Sequence, residues 1–368
     1  MNTNVITSML SINTPRAHAP GKVILSGDHS VVFGAPVLAV SIARYTEVWL
    51  NPIRGCSGLF TAFKQVSSGE FYPFAMLDEF KQRLDRRFEQ FVAGELPVQN
   101  ILQRPDELAM YAVTLFLQQL SKPKVRKNHQ IPISGTLRSR SSLPLGAGMG
   151  SSAAIIAAIF ALYESLFNEI VSPQERVERI RFCERLQHGH GSAVDAATVV
   201  YGGVIRVDGD RVSRPNIPQH HALWTGDGWY WVFHGTPASA TGECVEAVRR
   251  FHEKDVALWQ EFNDCTNTLQ SNLEASVSPI KTLRHNHRLL VRIGVVPSAT
   301  QNFVNAVERI GGAAKVCGAG SIKGEQGGMV LVYMEDEDAM NALMTDHGNL
   351  CWAPLRVCAL GAAHGAAP

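Results

Sequence analysis

Two hydrophobic periods divide this chain into elements. Residues 16–26 and 37–50 are rich in β-branched and apolar residues and flank the turn-forming Gly27-Asp28-His29, which predicts two strands. Residues 80–96 are charged and amphipathic, the pattern of a surface helix. Residues 106–120 set Leu108, Tyr111, Ala112, Leu115, Leu117 and Leu120 on one wide face, a second helix. Residues 131–137 alternate as a strand would. Residues 151–167 are apolar nearly all round, so that helix is expected to be buried. Residues 173–188 form an amphipathic helix with Pro173 in its first turn and Gly189 beyond its end. Residues 199–207, broken by Gly202-Gly203, read as strand.

The stretch 208–227 is rich in Gly, Asp, Pro and His, and a domain boundary is expected near its end, dividing 1–225 from 226–368. Beyond it the pattern predicts a strand at 229–234 and helices at 241–254, 258–275, 279–294 and 300–310. Strands at 314–317 and 329–334, a helix at 337–347 and a strand at 351–357 complete the reading. No repeat of a solenoid type is visible.

Composition narrows the class. At 368 residues the chain has room for about two domains. With 45% hydrophobic and 18% charged residues it is globular rather than disordered. Lys and Arg total 34 against 33 Asp and Glu, so no whole-chain field draws it to nucleic acid or to an anionic membrane. The basic run at 122–127 contains no aromatic residue and reads as a solvated loop. Seven scattered cysteines without C-x-x-C spacing imply reduced thiols and a cytoplasmic protein. The N-terminus shows no signal-peptide pattern, and the longest apolar stretch is well short of the ~20 residues that span a bilayer.

Four glycine-containing blocks carry candidate chemistry. Pro144-Leu-Gly146-Ala147-Gly148-Met149-Gly150-Ser151-Ser152 opens the buried helix. Its glycines clear space for a polyphosphate, and the helix start offers free N–H groups and a positive dipole end. The alternative is a tight turn in which the serines are simply N-caps. The spacing is neither that of a P-loop nor that of the dinucleotide fingerprint. In the second block, Ala19 to Gly34, Lys22 begins an apolar strand, where a charge is costly unless paired. It could hold a phosphoryl group or lower a nearby pKa, or lie at a solvated strand edge. Asp28 and His29 could bind a polar substrate or serve the turn. In the third, Glu184 and His188 share a helical face, and Asp195 follows a Gly-Ser loop. Asp195 is a candidate general base or an N-cap; Glu184 is a candidate Mg²⁺ ligand or the partner of Arg181 or Arg185. The fourth, Lys315-Val-Cys-Gly-Ala-Gly320 with Gly324, Gly327 and Gly328, is a second pocket wall or a hairpin turn. The run Gly235 to Thr241 could add hydroxyls or an ordinary N-cap.

In order and spacing these blocks resemble the three motifs of the GHMP kinase superfamily, most closely those of its mevalonate-phosphorylating members. The resemblance implies an α/β two-domain GHMP kinase fold, with an N-terminal ribosomal-protein-S5-like domain, a C-terminal ferredoxin-like domain and the active site in the cleft between. It implies ATP wrapped by Pro144 to Ser152, and Mg²⁺ held by Ser152 and Glu184. It makes Asp195 the acceptor of the substrate hydroxyl's proton and Lys22 the stabiliser of that carboxylate. Asp28, His29, Ser192 and Thr241 would help Lys22 and Asp195 bind a small-molecule acceptor, mevalonate, and a homodimer is expected from the family. The chain departs from the pattern at His188-Gly-His-Gly-Ser-Ala-Val-Asp195-Ala, which lacks the usual Pro and trailing Asn. It departs again where Ser321 to Gln326 interrupts the third glycine run. A phosphorylated acceptor, 5-phosphomevalonate, therefore stays open, with Arg206, His190 and Lys323 as its candidate cations, as does a nucleotide- or metabolite-binding sensor on the same fold.

Overall fold

The computed structural model describes residues 14–64, 69–120, 134–144, 146–191 and 193–368. Ser192, the basic run at 122–127 and the start of the strand expected at 131–137 lie outside the described residues. In chain order the first sheet receives β1 (Arg16–Ser26), β2 (Val37–Pro52), β3 (Gly58–Phe63) and β4 (Phe71–Pro73). After α1 (Leu77–Val92) and α2 (Glu107–Gln119) comes β5 (Gly135–Ser141). Three consecutive helices follow: α3 (Ser151–Phe167), α4 (Pro173–His188) and α5 (Ala193–Tyr201). The chain then returns as β6 (Val204–Asp208) and β7 (Arg211–Ser213), and ends this half in the short α6 (Ala222–Thr225). All pairings in this sheet are antiparallel except β3 with β5.

The helix α3 is the spine of this half. Ala153, Ala154, Ala157, Ala158 and Ala161 are buried, and such small side chains let a helix approach the β1–β2 ribbon closely. Asn168 ends it in the left-handed conformation. For α4 the predicted stop signals hold: the Ser172 hydroxyl accepts the Glu175 N–H, Pro173 takes the first turn, and Gly189 closes the end at φ 76°.

The second half builds β8 (Trp229–Phe233), four helices α7 (Thr241–His252), α8 (Val256–Glu274), α9 (Ile280–Arg292) and α10 (Ser298–Arg309), then β9 (Ala313–Cys317), β10 (Met329–Tyr333), α11 (Glu337–Asp346) and β11 (Cys351–Pro354). The strands pair antiparallel in the order β11-β8-β10-β9, the ferredoxin-like arrangement. This sheet is covered on both faces. Trp229, Trp231, Met329 and Leu331 join the core shared with the first half, whereas Tyr230, Val232, Val330 and Val332 pack on the helices. The tail after β11 crosses back, and β12 (Ala363–His364) pairs with β1.

Two readings are corrected. Residues 199–201 are the end of α5, not a strand. The β-branched Val199 and Val200 suggested extended chain, but Val194, Ala196 and Ala197 are buried and the Thr198 hydroxyl donates to the Val194 carbonyl at 2.6 Å, a helical bond. Gly202 and Gly203, both at positive φ, then turn the chain into β6. The strand expected at 131–137 is β5, centred later. The pattern does not mark β3, β4, β7 or β12. All seven cysteines are unpaired. Among the described residues no helix is long and apolar enough to cross a membrane.

Candidate active site

The three glycine motifs meet where the two sheets face each other. In the first loop the alternation is structural: Ala147 and Met149 are buried, while Gly146 and Gly148 face outward. The glycines at 146, 148 and 150 all have φ between 71° and 73°, which a side chain would strain. Two apolar anchors thus pin a loop whose exposed points carry no side chain. A β-bulge at Pro20/Gly21 brings β1 against it, and the Lys22 N–H donates to the Met149 carbonyl at 2.9 Å. Among the described residues no side chain caps the start of α3, which leaves its N–H groups to an anion.

Lys22 is buried, not a solvated strand-edge residue, and its Nζ lies 3.2 Å from Asp195 Oδ1. Asp195 sits in the first turn of α5, within the helix rather than at its cap. The aliphatic stem of Lys22 lies against Gly150: a Cβ there would fall 2.7 Å from Lys22 Cγ. The phosphate-loop candidate and the lysine–carboxylate pair therefore share one wall.

Glu184 is fully buried on α4, and Ser152 Oγ donates to its Oε1 at 2.8 Å. The arginines that might have paired with it go elsewhere, Arg181 to Asp210 and Arg185 to Asp85. Burial, and then the nearby Asp195 charge, push the Glu184 carboxyl up to about 8, while Ser152 and Lys22 oppose the shift. Its second oxygen, Oε2, is buried and has no hydrogen-bond partner among the described residues. An unsatisfied carboxylate oxygen beside a serine hydroxyl suits a hard cation, which would also relieve the repulsion between the two acids. Among the described residues no three His, Cys, Asp or Glu side chains gather as a self-sufficient metal site.

Asp28 and His29 connect the halves. Asp28 is buried, with Oδ2 2.6 Å from Lys315 Nζ and Oδ1 accepting the Gly318 N–H at 2.6 Å. His29 Nε2 donates to the Ala319 carbonyl at 2.9 Å, and burial lowers the imidazole's pKa. Both oxygens of Asp28 are thus engaged by the third glycine loop. From sequence Lys315 enters only as the first residue of its glycine block, although a lysine within Ala-Ala-Lys-Val-Cys is the same signal that marked Lys22. It is fully buried, and Asp28 outweighs the desolvation that would otherwise lower its pKa.

The segment Ser321 to Gln326 is tied down. Ser321 Oγ accepts the Ser239 N–H, Ser239 Oγ accepts the Ile322 N–H, Lys323 pairs with Glu243 on α7, and Glu325 Oε2 accepts from Ser298 and Ala299 at the start of α10. Gly320 is obligatory: a Cβ would lie 2.1 Å from the Val295 carbonyl oxygen. The first loop faces this region, with the Cβ position of Gly146 3.6 Å from Thr236 and that of Gly148 3.8 Å from the Cys317 carbonyl. Thr241, the first residue of α7, is exposed, as are His188 and His190.

Comparison with known proteins places this geometry in context. The family described as "GHMP kinases N terminal domain" matches residues 107–203. The mevalonate kinase of Pyrococcus furiosus is 26% identical over 320 residues, covering 83% of this chain and 86% of that protein. The human mevalonate kinase is 31% identical over 220 residues, 53% of this chain and 54% of that protein. The crystal structure of the Methanococcus jannaschii mevalonate kinase superposes with a TM-score of 0.73 at 17% identity, covering 95% and 99% of the two chains. A Lactococcus lactis galactokinase complexed with galactose superposes with a TM-score of 0.70 at 13% identity, covering 96% and 95%. The fold is therefore common to these enzymes and does not by itself select an acceptor.

Proposed function

We propose that the chain is a GHMP kinase that transfers the γ-phosphoryl group of ATP to the hydroxyl of mevalonate. The observation that carries the site assignment is the Lys22–Asp195 pair at 3.2 Å, set on the same wall as Gly150 and the uncapped start of α3. Phosphoryl transfer needs positioning and charge neutralisation more than covalent help. In this reading the Gly146–Ser152 backbone cradles the phosphates, and Ser152 and Glu184 hold Mg²⁺. The cation supplies charge neutralisation on the phosphate oxygens when bound.

Asp195 receives the proton of the acceptor hydroxyl as its oxygen attacks the γ-phosphorus and the bond to the ADP oxygen breaks. Lys22 holds Asp195 in an ion pair and offers positive charge on the reacting side. A positioned base of this kind contributes about 10²–10⁴-fold. In this reading Thr241 and His29 are assigned to the acceptor side, and Asp28 fixes the third loop.

The cations that a phosphorylated acceptor would call on are largely committed. Arg206 donates to Asn267 and Gln270, and Lys323 pairs with Glu243. That favours a hydroxyl acceptor over 5-phosphomevalonate. ADP release is the test, with Mg-ATP and mevalonate or 5-phosphomevalonate, and Asp195→Ala alongside. Turnover on mevalonate that the substitution abolishes is the expected result. Turnover on 5-phosphomevalonate alone would overturn the acceptor assignment, and binding of ATP without turnover on either would favour a sensor.

A further inference from the structure

A second cavity, of about 420 Å³, opens at the seam between the sheets. Arg44 and Ala43 on β2, Ser142 after β5, Trp231 on β8, Pro354 on β11 and Arg356 on the returning tail line it. Its size suits a small organic molecule. Neither Lys22, Ser152, Glu184 nor Asp195 belongs to its lining.

The lining has one electrical sign. It contains two guanidiniums and no carboxylate. Neither arginine has an acidic partner among the described residues. Arg44 instead lies over the Trp231 ring, 5.2 Å from its centroid, which leaves its N–H fork uncommitted. Trp231 itself is only 2% exposed. The arginines are also held in relation to each other: the Ala43 N–H donates to the Arg356 carbonyl at 2.8 Å, and Ile42 bridges Val357. Another cavity, lined by Lys81, Glu175, Glu178 and Arg179, differs in kind. There Arg179 pairs with Glu175, and Lys81 with Asp85 at 2.7 Å, so its charges are already answered.

We propose that the seam cavity binds a small phosphate monoester with a flat body. Its phosphate would take the Arg44 and Arg356 forks, and its body would lie against Ala43, Ala353 and Pro354. Two guanidiniums on one rim match phosphate geometry. The inference does not depend on which acceptor the kinase site takes. Because one wall comes from each sheet, an occupant spans the two halves. Ser142 lies two residues before Pro144, so the ligand would also sit beside the entry to the phosphate loop.

Phenyl phosphate is the probe, titrated calorimetrically into the full-length protein with and without a saturating non-hydrolysable ATP analogue. One-site binding is expected in both conditions, weakened about tenfold or more by Arg44→Ala and by Arg356→Ala. The affinity for the ATP analogue should stay within about twofold in both variants. Benzoate, which has the ring but one charge fewer, should bind about tenfold more weakly. Arg44→Lys and Arg356→Lys keep the charge and stem, and they report on the same contact if an alanine variant does not fold. Absence of binding to the wild type overturns the proposal, as does an affinity indifferent to both arginines. Displacement of phenyl phosphate by the ATP analogue also overturns it, by placing the probe in the nucleotide site.

Discussion

Removing either member of the Asp28–Lys315 pair should destabilise this protein more than any exposed ion pair could. Both side chains are fully or almost fully buried, and they join β1's end to β9 across the seam. In Lys315→Met, Asp28 keeps only the Gly318 N–H. In Asp28→Asn, the Lys315 ammonium keeps the Ile24 carbonyl at 3.2 Å and Cys317 Sγ at 3.6 Å, neither of which carries a full opposing charge. Breaking a buried pair on one side costs about 3–5 kcal/mol, because the survivor stays desolvated and uncompensated. Exposed pairs such as Lys323–Glu243 are worth about 0–1 kcal/mol. The double variant Asp28→Asn/Lys315→Met removes both charges while leaving an acceptor for Gly318, so it should recover most of the loss. Equilibrium urea denaturation read by two probes, arranged as a double-mutant cycle, measures this. Single losses below about 1 kcal/mol, or a double variant equal to the sum of the singles, would refute the argument that burial makes this pair structural.

Asp195→Asn should lower kcat by about 10²–10⁴-fold while the KM for ATP stays within about threefold, because the base touches the acceptor and not the nucleotide; steady-state kinetics decide it. Gly150→Ala should impair catalysis more than stability. Its Cβ would displace the flexible Lys22 stem from 2.7 Å and pull Nζ away from Asp195, and left-handed strain adds about 1 kcal/mol; kcat and a thermal melt separate the effects. By contrast, Gly320→Ala meets the Val295 backbone at 2.1 Å and should prevent normal folding, visible as loss of soluble protein. Burial, aided by Lys315 and Arg288, lowers the His287 pKa to about 4 from 6.5. The folded state then binds fewer protons than the unfolded state between those values. Stability is therefore fully present above pH 6.5 and is lost as pH falls towards 4, by up to about 3 kcal/mol. Urea midpoints across this range should fall less steeply in His287→Gln.

Much of the architecture was legible because it rests on local rules. Helix α3 could be read end to end from its unbroken apolar run and the glycines before it. Helix α4 could be read from Pro173 and Gly189, since caps and turn residues act within a few positions of themselves. The candidate site was legible as residue types: a lysine in an apolar strand, a carboxylate after a Gly-Ser loop, and glycines before a helix. The limits have the same origin. Val199 and Val200 favour a strand locally, and only burial among the neighbouring helices makes them helical.

What the sequence determined by itself was a set of chemically apt groups and the elements that carry them. Only the tertiary structure decided their pairings. Lys22 and Asp195 are 173 positions apart in the numbering yet 3.2 Å apart in space. Ser152 rather than an arginine engages Glu184, and Asp28 turns towards Lys315, 287 positions away. A buried charge must find a partner, and its sequence neighbours say only that one is needed. Which partner it finds depends on how two sheets close on each other, a long-range outcome of packing that no local pattern encodes.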